Sequence, residues 1–189
     1  REAATIISST LKLETVLSRI AEQMTLLINA SGTNICGLDT QTRSSTVLAE
    51  FISTHANFKE KTPGADATHH EEKFIETLIS NQYEISHIDD PNIYITVMDQ
   101  MKIAGSKSVL YIPLQVKNQL IGFAEIWESR ERRQFTPDEI ALCQSVSLQA
   151  AIAIENARLY EQAQQFIADR LHAEQEVKVS LVEKEVLLK

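Results

Sequence analysis

The stretch Ser108–Ser129, "SVLYIPLQVKNQLIGFAEIWES", decides the fold. Two runs of β-branched, aromatic and apolar residues flank a polar break at residues 117–119, which predicts a β-hairpin with its loop there. Side chains of a strand alternate between faces. Leu110, Ile112, Leu114 and Val116 therefore share a face with Leu120, Gly122, Ala124 and Ile126. That face is wholly apolar, and the small Gly122 and Ala124 would let helices approach closely. The other face carries Tyr111, Pro113, Gln115, Ile121, Phe123, Glu125 and Trp127. Aromatic rings mixed with a few polar groups suit a ligand pocket. They equally suit an ordinary core whose polar members sit at exposed strand ends. A closed, dry core at Phe123 and Glu125 would exclude the pocket.

Around the hairpin the period of apolar residues switches between helix and strand. Leu13, Val16, Leu17, Ile20, Met24, Leu27 and Ile28 recur at steps of three and four, which predicts an opening helix stopped by Asn29–Gly32. Residues 1–10 read as the tail of an upstream linker helix. "TNICGLD" (33–39) and "STVLAEFIS" (45–53) read as two strands joined by a polar loop, followed by a loop with a Pro63-Gly64 turn. Residues 69–82 read as a short helix with Phe74, Ile75, Leu78 and Ile79 on one face and Glu71 and Glu72 in the first turn. "YEISHI" (83–88) reads as a strand, and 93–105 as a short helix stopped by Gly105. On that helix Tyr94, Met98 and Met101 are candidate lid residues over the pocket, or simply its packed face. Thr136-Pro137-Asp138-Glu139 is a strong helix start, with an N-cap threonine, proline at the first helical position and acids in the first turn. No Gly or Pro follows Pro137, so a single long helix is predicted to run out of the globule. The expected fold class is α+β: a central antiparallel sheet of five to six strands, terminal helices on one face, and a C-terminal helix extended as a coiled coil.

Composition narrows the function. A chain of 189 residues with 43% hydrophobic and 23% charged content is a globular domain that needs no disulfide or metal staple. A net charge of −8 argues against binding to a nucleic-acid backbone. No apolar run reaches the ~20 residues of a membrane span, so no membrane contact is expected. The two cysteines, Cys36 and Cys143, are far apart and read as buried core residues in a reducing cytoplasm. His69-His70 beside two glutamates does not converge on one ion, because adjacent helical residues diverge by about 100°. That pair reads as a solvated helix start, and no metal is expected. His172 reads as a surface position. No phosphate-cradling glycine loop is present, so neither a kinase catalytic domain nor any catalytic residue is expected in this chain.

Three segments carry a family resemblance. "FTPDEIALCQSVSLQAAIAIENARLYEQA" (135–163) resembles the closing helix of GAF domains, with its A-I-x-N-A-x-L-[YF] ending. The 108–129 hairpin is similar to that family's paired strands, and the opening helix with "TNICGLD" resembles its start. The resemblance spans residues 5–163, with the domain itself placed at 11–163 and a linker at 164–189. It implies a sensory module with a small-molecule pocket between one sheet face and the intervening loops. Tyr111, Phe123, Glu125, Tyr94, Met98 and Met101 are the pocket candidates. The ligand stays unknown. Bilin-binding relatives attach the chromophore to a pocket-loop cysteine, often followed by histidine; Cys36 and Cys143 lack both features, so covalent bilin is not expected. The N-K-F-D-E signature of cyclic-nucleotide relatives is absent, as are the clustered cysteines of the relative that reduces methionine sulfoxide.

On the exit helix Tyr160, Ala163, Ile167, Arg170, Glu174, Val177, Leu181, Lys184 and Leu188 keep a 3-4 alternation. Tyr160, Ala163, Ile167, Val177, Leu181 and Leu188 are the candidates for a parallel homodimer seam, and Arg170 and Glu174 can pair along it. "LVEKEVLLK" (181–189) resembles the approach to a histidine-kinase dimerisation domain. The expected whole is the cytoplasmic sensory domain of a two-component histidine kinase, with a ligand biasing a dimeric helix that leads to a kinase domain in cis. The alternatives are a ligand-free dimerising spacer, or a sensor ahead of a cyclic-dinucleotide synthase or transcription activator.

Overall fold

The computed structural model describes residues 2–57 and 68–187, with side chains from residue 12 to residue 177 within those spans. The order of elements is α1 (Glu2–Leu27), β1 (Gly32–Asp39), β2 (Ser44–Ile52), β3 (Thr68–His69), α2 (Glu72–Ser80), β4 (Glu84–His87), α3 (Ile95–Ala104), β5 (Ser108–Val116), β6 (Gln119–Glu128) and α4 (Pro137–Leu187). The sheet has six strands in the order β3-β2-β1-β6-β5-β4. Every pairing is antiparallel. The expected α+β architecture is therefore present, with α1 and α4 against one face. The sixth strand, β3, falls where the sequence reads a loop and then the first residue of α2. The Pro63-Gly64 turn lies outside the described residues.

The turn of the central hairpin is Lys117-Asn118, both with positive φ (49° and 64°), rather than residues 117–119. Such two-residue left-handed turns match the twist of the strands they join. The register is nevertheless the expected one at Leu114↔Gly122, Ile112↔Ala124 and Leu110↔Ile126. A bulge explains this: partners step from Leu114↔Gly122 to Gln115↔Leu120, leaving Ile121 as an extra residue. The bulge also swaps two side chains. Leu120 packs on the face of Tyr111 and Phe123, and Ile121 joins the helix-facing core, each opposite to the simple alternation.

The helix-facing core joins Leu17, Ile20, Met24 and Ile28 of α1 to Ile35, Leu110, Ile112, Ala124 and Ile126 of the sheet and to Ile140, Cys143 and Val146 of α4. Fully burying such a side chain contributes roughly 1.5–3 kcal/mol. Val16 and Leu27, expected in this face, stay 44% and 46% exposed, because the buried stripe runs through Ala21 instead. Ile79 of α2 is likewise exposed. Gly122 is small for a reason other than helix approach. A Cβ there would sit 2.1 Å from the backbone oxygen of Cys36 on the neighbouring strand, so the close approach of β1 demands glycine.

The helices are tied to the sheet at one polar corner. α1 ends with Asn29 in the left-handed region (φ 51°), as the sequence indicates. Glu128, at the end of β6 and 1% exposed, accepts hydrogen bonds from Ser31 Oγ (2.7 Å), Arg130 N (2.8 Å) and Arg130 Nε (2.8 Å). Arg133 Nη1 lies 3.5 Å from its other oxygen. The same two arginines donate to the carbonyls of Asn29 and Ile28, which the end of α1 leaves without helical partners. Arg133 also donates to Glu139 Oε1 (2.6 Å), whose Oε2 accepts from Thr136 N (2.8 Å). Glu139 N donates back to Thr136 Oγ1 (3.3 Å), completing a capping box at the start of α4.

These bonds hold the Glu128 carboxyl at about 2 despite its burial. A depressed acid stabilises the fold fully above its ordinary value of 4.5, and the contribution is lost as pH falls toward 2. Glu128→Gln is expected to cost about 3 kcal/mol at pH 7, the low end for breaking a buried pair, and to flatten the acid limb of urea-unfolding stability between those pH values. Gly122→Ala is expected to cost about 1–3 kcal/mol by the same measurement, through overpacking against the Cys36 carbonyl.

Candidate functional site

The second sheet face is covered by α2 and α3. Their buried residues Phe74, Ile75, Leu78, Val97 and Met101 pack on Cys36, Val109, Tyr111, Leu120, Phe123 and Trp127. Phe74 is the hub of this cluster. Its ring lies 5.2 Å from Tyr111, 5.4 Å from Tyr94 and 6.0 Å from Phe123, in edge-to-face contacts, and stacks on His70 at 5.0 Å. Such contacts add about 0.5–1.5 kcal/mol each beyond the area they bury.

Pairing register places a polar row across this face. Glu50 of β2 is opposite Asn34 of β1, Asn34 opposite Glu125 of β6, Glu125 opposite Tyr111 of β5, and Tyr111 opposite Glu84 of β4. Directly opposed residues point to the same side of a sheet, so the row shares the face of Phe123. Asn34 Nδ2 donates to Glu125 Oε2 at 3.0 Å, and the Tyr111 hydroxyl donates to Oε1 at 3.3 Å. Burial pushes the Glu125 carboxyl above its ordinary value; the bonds from Asn34 and Tyr111 oppose that rise and the nearby Glu50 adds to it. Burial and then Glu125 push the Tyr111 hydroxyl well up, so it stays a neutral donor. Glu84, at the outer end, is also raised by burial.

Two buried polar atoms on this face have no partner. Asn34, 8% exposed, leaves its Oδ1 unbonded. His70, 6% exposed, shares a hydrogen bond between Nε2 and Ser45 Oγ (2.8 Å) and leaves Nδ1 unbonded. Burial lowers its pKa to about 4, so the ring is neutral near pH 7. This corrects the reading of His69-His70 as a solvated helix start. His69 belongs to β3, and the helix begins only at Glu72. Glu71 precedes it, and its carboxylate accepts from Thr96 N and Oγ1 at the start of α3.

The structure gathers the predicted pocket residues unevenly. Tyr111, Phe123, Tyr94 and Met101 meet around Phe74. Met98 is half-buried and outside that cluster. The Tyr94 hydroxyl is bonded to Thr77 Oγ1 at 2.9 Å. At Phe123 the core is closed; at Glu125 it is polar and half-buried. Asn34, Glu50 and His70 complete the face and were not singled out from sequence. Cys36 lies beside Phe123 in this cluster and Cys143 in the opposite core, both free and buried as expected. Burial raises both thiols, that of Cys143 to about 11, so both are neutral. Among the described residues no three His, Cys, Asp or Glu converge as metal ligands.

A separate groove of about 370 Å³ opens between the end of α2, β5 and α4, lined by Asn81, Gln82, Gln115, Gln144 and Ser147. It contains none of the predicted pocket residues. It is shallow, open to solvent and lacks charged groups, so the candidate site is placed on the Glu125 row.

On α4, Tyr160, Ala163, Ile167 and Val177 are exposed, and Arg170 pairs with Glu174 at 3.3 Å as anticipated. The side chains of Leu181 and Leu188 lie outside the described residues. Leu148, Ile152, Leu159 and Phe166 are further exposed apolar residues of this helix. No described helix is long and apolar enough to cross a membrane.

Comparison with known proteins fits this geometry. The family model described as "GAF domain" matches residues 12–156. The chain is similar in structure to the blue-light absorbing form of the PixJ GAF domain of Thermosynechococcus elongatus (TM-score 0.68, 15% identity, 84% of this chain and 94% of that one). It is similar to the phycocyanobilin-bound GAF domain of a cyanobacterial phytochrome (TM-score 0.65, 18% identity, 85% and 97%). It is also similar to a domain assigned to a two-component sensor histidine kinase protein of Sinorhizobium meliloti (TM-score 0.58, 16% identity, 80% and 96%). No curated protein matches the chain. At these identities the solved structures speak for the fold, while the family match covers most of the sequence. The chain belongs to the GAF domain family.

Proposed function

We propose that this chain is the sensory domain of a cytoplasmic two-component histidine kinase, binding a small molecule over the Glu125 face and passing the event to a dimeric α4. One observation carries the pocket: this face buries more polar capacity than the fold uses, with Asn34 Oδ1 unbonded beside Glu125 and His70 Nδ1 unbonded on the same face, against Phe74 and Phe123. Buried polar groups are normally satisfied, and orphaned ones ask for an occupant. The coupling follows from the sheet. β6 carries Glu125 on one face, the α4-packed Ala124 and Ile126 on the other, and Glu128 at its end. A ligand that prefers one packing of β6 would bias the helix, and a coupling of ~1–3 kcal/mol changes output several-fold. The kinase assignment rests on "LVEKEVLLK" and on the similarity to the S. meliloti domain. The close packing of Tyr111 and Phe123 favours a second reading, a GAF domain that dimerises without a ligand.

Native mass spectrometry of freshly purified protein, with an absorbance scan, separates the two readings. A small molecule retained under native conditions and lost on denaturation is the expected result. A clean mass of the chain alone, with no binder in a small-molecule screen, would favour the spacer. The exposed apolar residues of α4 lead to an expected dimer in multi-angle light scattering at micromolar concentration. Charging two of them, Phe166→Glu with Ile167→Glu, is expected to give a folded monomer.

A further inference from the structure

α2 covers one face of the sheet and α4 the other, and between them runs an edge that β4 closes only in part. β4 pairs with β5 from Ser108 to Tyr111 and is the last strand of the sheet, so among the described residues the outer side of Ile112–Val116 has no partner strand. Pro113, which has no N–H to offer a neighbouring strand, stands on that stretch. The groove of about 370 Å³ follows this open edge, with the end of α2 on one side and α4 on the other. Its size falls within the roughly 300–1,000 Å³ usual for small-molecule sites.

The hydrogen-bonding groups of the groove are only partly used. Ser147 of α4 belongs to the lining, is 2% exposed, and has an Oγ without a partner. A helical hydroxyl can bond the carbonyl four residues back, as Thr25 does with Ala21; Ser147 does not. Gln115 Nε2 faces the carbonyls of Leu78 (3.5 Å) and Ile79 (3.4 Å) in two long contacts, and Gln144 Nε2 donates to the carbonyl of Gln82 (3.1 Å). A carbonyl only accepts, so each glutamine commits its amide nitrogen to the end of α2 and keeps its oxygen as an acceptor. The Asn81 side chain is turned to Glu84. Two amide oxygens and one hydroxyl are therefore available to a ligand. No Asp, Glu, Lys or Arg is among the lining residues, so an ion would find no counter-charge there. Ile79, Pro113 and Leu148 supply apolar walls, and Ile79 and Leu148 are exposed at the rim.

We propose that this groove is a second binding site, independent of the Glu125 face, for a small uncharged molecule that joins N–H donors to an apolar ring, of the amide, lactam or urea class. The ligand's N–H groups bond the side-chain oxygens of Gln115 and Gln144, its carbonyl accepts from Ser147 Oγ, and its ring rests among Ile79, Pro113 and Leu148. Bound there, it bridges the end of α2 to α4 where β4 falls short.

The test is a two-dimensional amide NMR titration of the full chain with benzamide and phenylurea, against N,N-dimethylbenzamide, benzoate and benzamidine. Benzamide or phenylurea is expected to shift, saturably, the backbone signals of residues 79–82 and 144–148 and the side-chain amides of Gln115 and Gln144. N,N-dimethylbenzamide keeps the ring and carbonyl but has no N–H, and is expected to bind about tenfold more weakly, the worth of one or two hydrogen bonds. The charged benzoate and benzamidine are expected to give no saturable shifts in the groove. Ser147→Ala is expected to weaken the better amide about fivefold or more. Without ligand the same variant should unfold at the wild-type temperature or above, because it removes a buried hydroxyl that has no partner. If neither benzamide nor phenylurea binds, if N,N-dimethylbenzamide or a charged probe binds as tightly, or if Ser147→Ala binds as the wild type does, the proposal is overturned. Saturable shifts confined to Tyr111, Phe123 and Glu125 would also overturn it, and would support the pocket on the other face.

Discussion

The carboxylate of Glu128 is the point on which the rest of the structure depends. It is buried where three elements converge: the end of α1, the end of β6 and the approach to α4. None of the three could close there alone. The end of α1 leaves carbonyls without helical partners, and Arg130 and Arg133 serve them only because Glu128 holds those side chains in place. Arg133 then reaches Glu139 and so the capping box of α4. A buried ion pair of this kind is a poor source of net stability, since its attraction is spent largely on desolvation. What it supplies is a fixed relative placement of both terminal helices on the sheet.

Much of this was legible in the chain because the signals were local. Thr136-Pro137-Asp138-Glu139 announces its helix through hydrogen bonds within one turn, and the structure contains them. Asn29 and Gly105 end their helices as left-handed residues, as their types suggest. The hairpin register was right through compensation: a two-residue turn plus the bulge at Ile121 spans the same distance as the longer loop the sequence suggested. The price of that compensation is the exchange of Leu120 and Ile121, which no alternation rule anticipates. β3 has two residues and exists only through pairing with Ser44 and Ser45, so no local pattern could reveal it.

The site was half-legible for the same reason. Tyr111, Phe123 and Glu125 follow from alternation on a single hairpin. Asn34 and Glu50 join them only through the pairing of β1 with β6 and β2, which is a long-range fact. His70 was misread because its environment comes from Ser45 and Phe123, distant in sequence, as well as from Phe74. Polar residues on strands carry little periodic signal of their own. Their meaning appears when the register shows which ones are neighbours and which atoms they leave without partners.

The length of α4 has a mechanical consequence. Among the described side chains, its last fully buried residues are Ala150 and Ala151, with Ala153 and Ile154 partly covered, while the helix continues to Leu187. The overhang is roughly 50 Å at 1.5 Å per residue, held at its base by the sheet and the Arg133–Glu139 corner. It works as a lever with a short inner arm. A reorientation of about 5° at the base, well within what side-chain repacking allows, sweeps the far end through about 4 Å. That is close to a turn of helix, the scale on which packed helices exchange one set of contacts for another.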